Sequence, residues 1–256
     1  MSHDAAGAGI ALAGFCVLVL AGTVKGLLGM GLPTVGIGLL SLFLTPAEAA
    51  AVLIVPSTVT NLWQYFTGPN VVATARRFRL MMIALVAGTL VGGLLIGGLT
   101  SPLALPALGA TLLLYGAVGL SAVPLRLPAG VEGWMSPLMG LLTGIVTGTT
   151  GVSVMPSAPY LQALGLSRDD LVQALGLTFT ISTFALAVVL AKPGEDGAVL
   201  ADPRILLASL VALAPAFLGM EIGRRVRRAV SPLVFRRAFF AGLALLGAYM
   251  LARGLG

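Results

Sequence analysis

Between Arg79 and Arg126 the chain runs for 46 residues without an Asp, Glu, Lys or Arg. A bilayer core takes roughly 20 mostly apolar residues per helical crossing, so this stretch alone holds two crossings. The same absence of charge recurs over residues 5–24, 26–47, 49–75, 133–167 and 171–191. Only 9% of the 256 residues are charged, against about 25% in a soluble domain, and mean hydropathy is +1.04. Such a chain cannot clothe a soluble surface. It is expected to be an all-α polytopic membrane protein, which excludes an ordinary cytoplasmic enzyme, a disordered chain and a fibrous repeat.

Composition removes several chemistries. The single cysteine, Cys16, rules out a disulfide framework and a thiolate metal site. Cys16 itself is expected to be a small buried apolar residue. The single histidine, His3, precedes the first apolar run, so no His-ligated zinc, His general base or haem ligand is expected. No metal or cofactor is predicted. The net charge of +6 and the pI near 10.2 point to basic loops that orient membrane spans rather than to nucleic acid. The N-terminus lacks the basic region of a cleaved signal peptide, so its apolar run is expected to be a retained first span.

Breaks at charges, Pro and Gly divide the chain into about ten segments: 6–24, 27–44, 48–67, 80–99, 103–123, 134–149, 152–166, 170–191, 205–222 and 233–252. Several are short for a span, and such Gly/Pro-interrupted segments are typical of the broken helices of transporters. The sequence also matches itself. Gly22 to Gly29 aligns with Gly144 to Gly151 at an offset of 122, which also carries Thr45-Pro46-Ala47-Glu48 onto Ser167-Arg168-Asp169-Asp170. Both tetrapeptides read as helix-opening capping boxes. Ser101-Pro102-Leu103 matches Ser231-Pro232-Leu233 at 130, a drift that a longer loop at 192–204 explains. The reading is a duplicated five-segment unit, residues 1–125 and 126–256.

Charge orients the units. Arg76, Arg77 and Arg79 lie between segments three and four; Arg224, Arg225, Arg227, Arg228, Arg236 and Arg237 lie between nine and ten. If all ten segments cross, both clusters fall on one side, the cytoplasmic side by the positive-inside rule. Five crossings per unit is odd, so the repeats are expected to be inverted, with both termini outward. A four-plus-four count would place the clusters on opposite sides.

Two groups of residues could carry chemistry. One is the pair of Gly-rich breaks: Lys25, Gly26, Gly29 and Gly31 before Pro33, and Gly148, Thr149, Gly151 and Ser153 before Pro156. Glycine and proline free backbone groups that lipid cannot satisfy, and half-helix N-termini suit anions. The same glycines also fit GxxxG packing. Lys25, one of two lysines, is flanked by apolar runs of 20 and 22 residues. An intramembrane charge of this kind marks a functional site, and the competing reading is a lysine snorkelling to the interface. The other group is Ser57, Asn61 and Gln64, spaced along one helical stripe with Thr58 and Thr60 beside it, together with Thr178, Thr180, Ser182 and Thr183. It could line a polar path or hold helices together. Glu48, Asp170 and Glu221 read as caps or interface charges. Gly26-x-x-Gly29 lacks a Gly-Lys-Ser/Thr ending, which argues against a phosphate loop.

On these residues the chain resembles the TauE/SafE family of sulfite and organosulfonate exporters, including the four-toluene-sulfonate uptake permease type. The resemblance covers nearly the whole chain. In that family Gly-x-x-Gly-x-Gly-Gly-Gly runs into Val-Pro-Leu-Leu and precedes a helix opening with Ser/Thr-Pro-x-x-Ala. Here Gly26-Leu-Leu-Gly29-Met-Gly31-Leu-Pro33 precedes Thr45-Pro46-Ala47-Glu48-Ala49, then comes the basic loop Arg76-Arg77-Phe78-Arg79 and a helix with Gly88, Gly92, Gly93 and Gly97. The second half repeats the pattern at Gly148 to Pro156 and Ser167 to Asp170, while Leu32 and Pro33 interrupt the glycine triplet. The resemblance implies a secondary transporter in the bacterial inner membrane, exporting a small anion such as sulfite or a sulfonate. A membrane-embedded enzyme would need an acid–base or nucleophile set within the spans, and an assembly factor would have no use for broken helices.

Overall fold

A computed structural model of the chain describes residues 2–121, 126–128, 130–192, 198–227, 229 and 231–255. The unit boundary expected at residue 125, Arg228 of the second basic cluster, Glu195 and Asp196 of the 192–204 loop, and the His3 side chain lie outside the described residues.

Every regular element among the described residues is helical. The first half comprises α1 (Ser2–Leu28), α2 (Leu32–Leu40), α3 (Pro46–Val52), α4 (Ile54–Phe66), α5 (Val71–Arg77), α6 (Arg79–Leu90) and α7 (Ala104–Ser121). The second comprises α8 (Glu132–Thr150), α9 (Ser157–Ala163), α10 (Arg168–Leu190), α11 (Pro203–Val211), α12 (Leu213–Val226) and α13 (Pro232–Leu255). Prolines set two of the divisions. Pro56 has no N–H for the Val52 carbonyl and Pro215 none for that of Val211, and α3 gives way to α4, and α11 to α12, one residue past those carbonyls. The predicted caps are present. Thr45 and Glu48 form a complete capping box at α3, and the Ser167 hydroxyl accepts from the Asp170 amide at α10.

Six stretches are long and apolar enough to cross a membrane: Gly9–Leu28, Arg79–Thr100, Ala104–Ser121, Arg168–Leu190, Pro203–Val226 and Leu233–Leu255. The other four expected segments are built differently. Segment 48–67 is split between α3 and α4, and 134–149 lies within α8. Segments 27–44 and 152–166 contain only the nine-residue α2 and the seven-residue α9. At 1.5 Å per residue these helices reach about 14 and 10 Å, well short of a hydrocarbon core of about 30 Å. Glycines separate these helices from the ones before them. Gly29 and Gly31 have φ of 76° and 108°, and Gly151 has 75°, left-handed values that end α1 and α8.

Close helix pairs organise the rest. On α1, Gly22 faces the Ala216 carbonyl and the Met220 amide of α12, and Gly26 faces the Met220 carbonyl and the Arg224 amide. On α8, Gly144 faces the Leu85 carbonyl and the Thr89 amide, and Gly148 faces the Thr89 carbonyl and Gly93 amide. An offset of 122 carries the first glycines onto the second, and 131 carries Leu85, Thr89 and Gly93 onto Ala216, Met220 and Arg224. In both pairs the contacting numbers rise together, so the helices run parallel. The α7–α13 pair is antiparallel: Gly116 meets the Phe240 carbonyl and Ala244 amide, while Gly247 meets the Gly109 carbonyl and Leu113 amide.

The core gathers where α2, α3, α9 and α10 meet, around the fully buried Leu32, Ile37, Leu53, Leu161, Leu175 and Phe179. Large apolar side chains such as Trp63, Leu95, Val188 and Leu245 cover the exterior, as a multi-pass membrane protein requires. Cys16, expected to be buried, is exposed. Tight packing of α1 begins at Leu18, and Cys16 precedes that stretch.

Candidate functional site

The last turn of α1 carries Lys25, which is 3% exposed and is the one charged side chain buried among the described residues. Its direction follows from the packing. Gly22 and Gly26 press one face of α1 against α12, which leaves Lys25 to point at α4. There Nζ donates to Thr60 Oγ1 at 3.0 Å and to Asn61 Oδ1. The ammonium turns into the protein toward α4 and away from solvent.

This cluster is rich in donors and poor in acceptors. An ammonium carries three N–H groups, and Lys25 has two partners. Thr60 Oγ1 accepts from Lys25 and donates to the Pro56 carbonyl at 2.7 Å. Asn61 Nδ2 is buried with no hydrogen-bond partner, and so is the Ser57 hydroxyl one turn earlier on α4. Leaving such groups unpaired costs about 1–3 kcal/mol each. No carboxylate pairs with Lys25, so the positive charge is uncompensated by any described neighbour. A protonated lysine without a carboxylate partner, beside spare donors, is chemically complementary to an anion.

The other expected site residues divide by role. Gly29 and Gly31 form the break directly after Lys25, and the extended entry to α9 runs from Gly151 through Ser153. The two breaks have different neighbours. Gly29 lies against Val172, which accepts from Gln64, whereas Gly151 lies against Ala50. Ala50 precedes Asn61 by eleven residues of α3 and α4, at most about 16 Å along the axis. Gly26 and Gly148 are packing glycines, since an added Cβ would come within 2.3 Å of the Met220 and Thr89 carbonyl oxygens, respectively. Gln64 is engaged in holding α4 to α10, its Nε2 donating to the Val172 carbonyl at 2.7 Å. Thr149 and Thr180 return their hydroxyls to the Ile145 and Gly176 carbonyls of their own helices.

Sequence reasoning missed Gln173. It is fully buried, donates to the Tyr65 carbonyl at 2.9 Å and accepts from the Asn70 amide at 2.9 Å, tying α10 to the end of α4. A lone glutamine inside the charge-free run 171–191 was the available signal. The edge carboxylates behave as expected: Glu48 caps α3, Asp170 bonds Ser167 and Asn70, and Glu221 pairs with Arg224 and Arg225.

The family model described as sulfite exporter TauE/SafE matches residues 14–250, a stretch that includes both breaks and the Lys25 cluster. The chain belongs to the TauE/SafE family. TauE/SafE membership makes it a membrane protein of a transporter family, in keeping with its apolar helices. No curated protein and no solved structure matches it.

Proposed function

We propose that this protein exports small sulfur-containing anions, such as sulfite or organosulfonates, across the bacterial inner membrane by alternating access between two inverted repeats, residues 1–125 and 126–256. Family membership supports the transport class. The two offsets that superpose the α1–α12 contacts on the α8–α6 contacts support duplication. The antiparallel run of α7 and α13, which correspond at an offset of 131, supports inversion. A duplicate related by an axis along the membrane normal would keep equivalent helices parallel. With the short segments holding α2 and α9 counted, each unit has five segments. Both arginine clusters then lie on the cytoplasmic side.

The observation that carries the reading is the surplus of donors around Lys25. A sulfonate group, or sulfite as its dianion, presents oxygens that only accept. In this reading they take the third Lys25 proton, the Asn61 amide and the Ser57 hydroxyl, and the lysine charge offsets the substrate charge where water is excluded. The Gly29–Gly31 break lets the chain beside Lys25 shift without unfolding α1. Gly151–Ser153 plays the equivalent part toward the other face.

Flux from proteoliposomes loaded in turn with radiolabelled sulfite, an alkyl sulfonate, an aryl sulfonate and sulfate tests this. Saturable efflux of at least one sulfur oxyanion above that of protein-free vesicles is expected. Flux of none of them would remove the proposed function.

A further inference from the structure

A cavity of about 810 Å³ opens on the far side of the Gly29–Gly31 break, between the α7–α13 pair and α9. Arg126 and Arg236 line it with Gln162, Tyr115, Phe240 and Met30, and among the described residues no carboxylate does. Arg236 Nε is shielded from solvent and has no hydrogen-bond partner. The Tyr115 side chain is 3% exposed, and its hydroxyl has only a thioether partner, Met30 Sδ at 3.5 Å. Sulfur is a weak acceptor, readily replaced by oxygen. Two guanidinium side chains, an amide side chain and a poorly satisfied phenol therefore line one volume.

We infer that this cavity is a second oxyanion site, a cytoplasmic mouth that captures the substrate before it reaches Lys25. The inference rests on the proposed function for its direction of travel. Guanidinium groups bind oxyanions through paired N–H donors, which makes the site selective for groups with several oxygens. The volume far exceeds one such group, so the anion is held with water still around it and is released easily. Met30 joins the two sites, because it lines the cavity and lies within the break that follows Lys25. Arg236 opens α13 at the end where the Arg224–Arg227 cluster closes α12, so the mouth faces the side assigned to the cytoplasm.

The site separates from the Lys25 cluster by kinetics. In oriented proteoliposomes, Arg236→Gln combined with Arg126→Gln should raise the half-saturating sulfite concentration on the arginine-rich side at least about tenfold, the loss of one or both charged hydrogen bonds. The maximal rate should hold, and Arg236→Lys should recover part of the affinity. Unchanged half-saturation would overturn the inference. If the wild-type protein moves no anion, the function has failed and binding alone decides the cavity. Sulfite, against chloride at equal ionic strength, should then raise the melting temperature of the purified wild type and of Lys25→Met but not of the double arginine variant; an equal rise in all three would sink the site. A lipid headgroup offers the same oxygens. Native mass spectrometry from phosphatidylglycerol vesicles distinguishes it: loss of bound lipid in the double variant, with an intact sulfite response, would make this a lipid site and overturn the proposal.

Discussion

Lys25 on α1 and Asn61 on α4 meet through a hydrogen bond between ammonium and amide oxygen, with no carboxylate among the described residues to balance the charge. A structural lysine in the same place would be expected to have an acid opposite it, because an unpaired buried charge is costly. Supplying that acid is informative. Asn61→Asp should stabilise the folded protein, as a raised melting temperature in detergent, while lowering anion flux at least about tenfold, because the carboxylate occupies the cation. Unchanged flux in a stably inserted Asn61→Asp protein would show that Lys25 serves packing.

Glycine contacts set the helix pairs. Gly22→Val and Gly144→Val should each lower stability by about 1–3 kcal/mol or more, since a Cβ would stand 2.3 and 2.1 Å from the opposing carbonyl oxygens. Gly14→Val has nothing within 4 Å to meet and should melt like the wild type. Thermal unfolding in detergent compares the three. Equal melting temperatures would mean that the α1–α12 and α8–α6 contacts are loose.

Orientation can be read by labelling. In a Cys16→Ala background, cysteines at the exposed Arg76 and Arg227 should react with an impermeant maleimide from the same, cytoplasmic side. Reaction from opposite sides would remove the inverted five-plus-five arrangement.

Much of this was legible from charge and punctuation. The long uncharged runs announce the membrane helices, and Thr45-x-x-Glu48 and Ser167-x-x-Asp170 mark two helix starts. The match of Gly22 with Gly144 located two equivalent interfaces, though not that the glycines inside it differ in role. Gly26 and Gly29 read alike in sequence, but one presses on a backbone and the other turns the chain at positive φ. Gln64 and Asn61 share a helical stripe, and only the partners from other helices separate the binder of α10 from the partner of Lys25. Those partners come from far along the chain, so local spacing could not supply them. Nor could it show the cavity, whose walls come from α7, α9, α13 and the first break.

Driving force offers a further expectation. Moving one negative charge out of a cell that is negative inside is favourable by about 2.3 kcal/mol per 100 mV. The carboxylates Glu48, Asp170 and Glu221 are engaged at helix ends, and no carboxylate among the described residues pairs with Lys25 to relay protons. Efflux should therefore quicken when the anion-containing side is made negative, with little response to a pH gradient. Efflux that follows the pH gradient and ignores voltage would point to proton coupling.

In the proposed function the Lys25 ammonium is the charge that receives the anion. Counterflow of radiolabelled sulfite in proteoliposomes holding equal amounts of correctly inserted wild type and Lys25→Met tests it most directly, because exchange needs binding and no net driving force. The account predicts exchange by the wild type and none above protein-free vesicles for Lys25→Met. Exchange by Lys25→Met at the wild-type rate would contradict it.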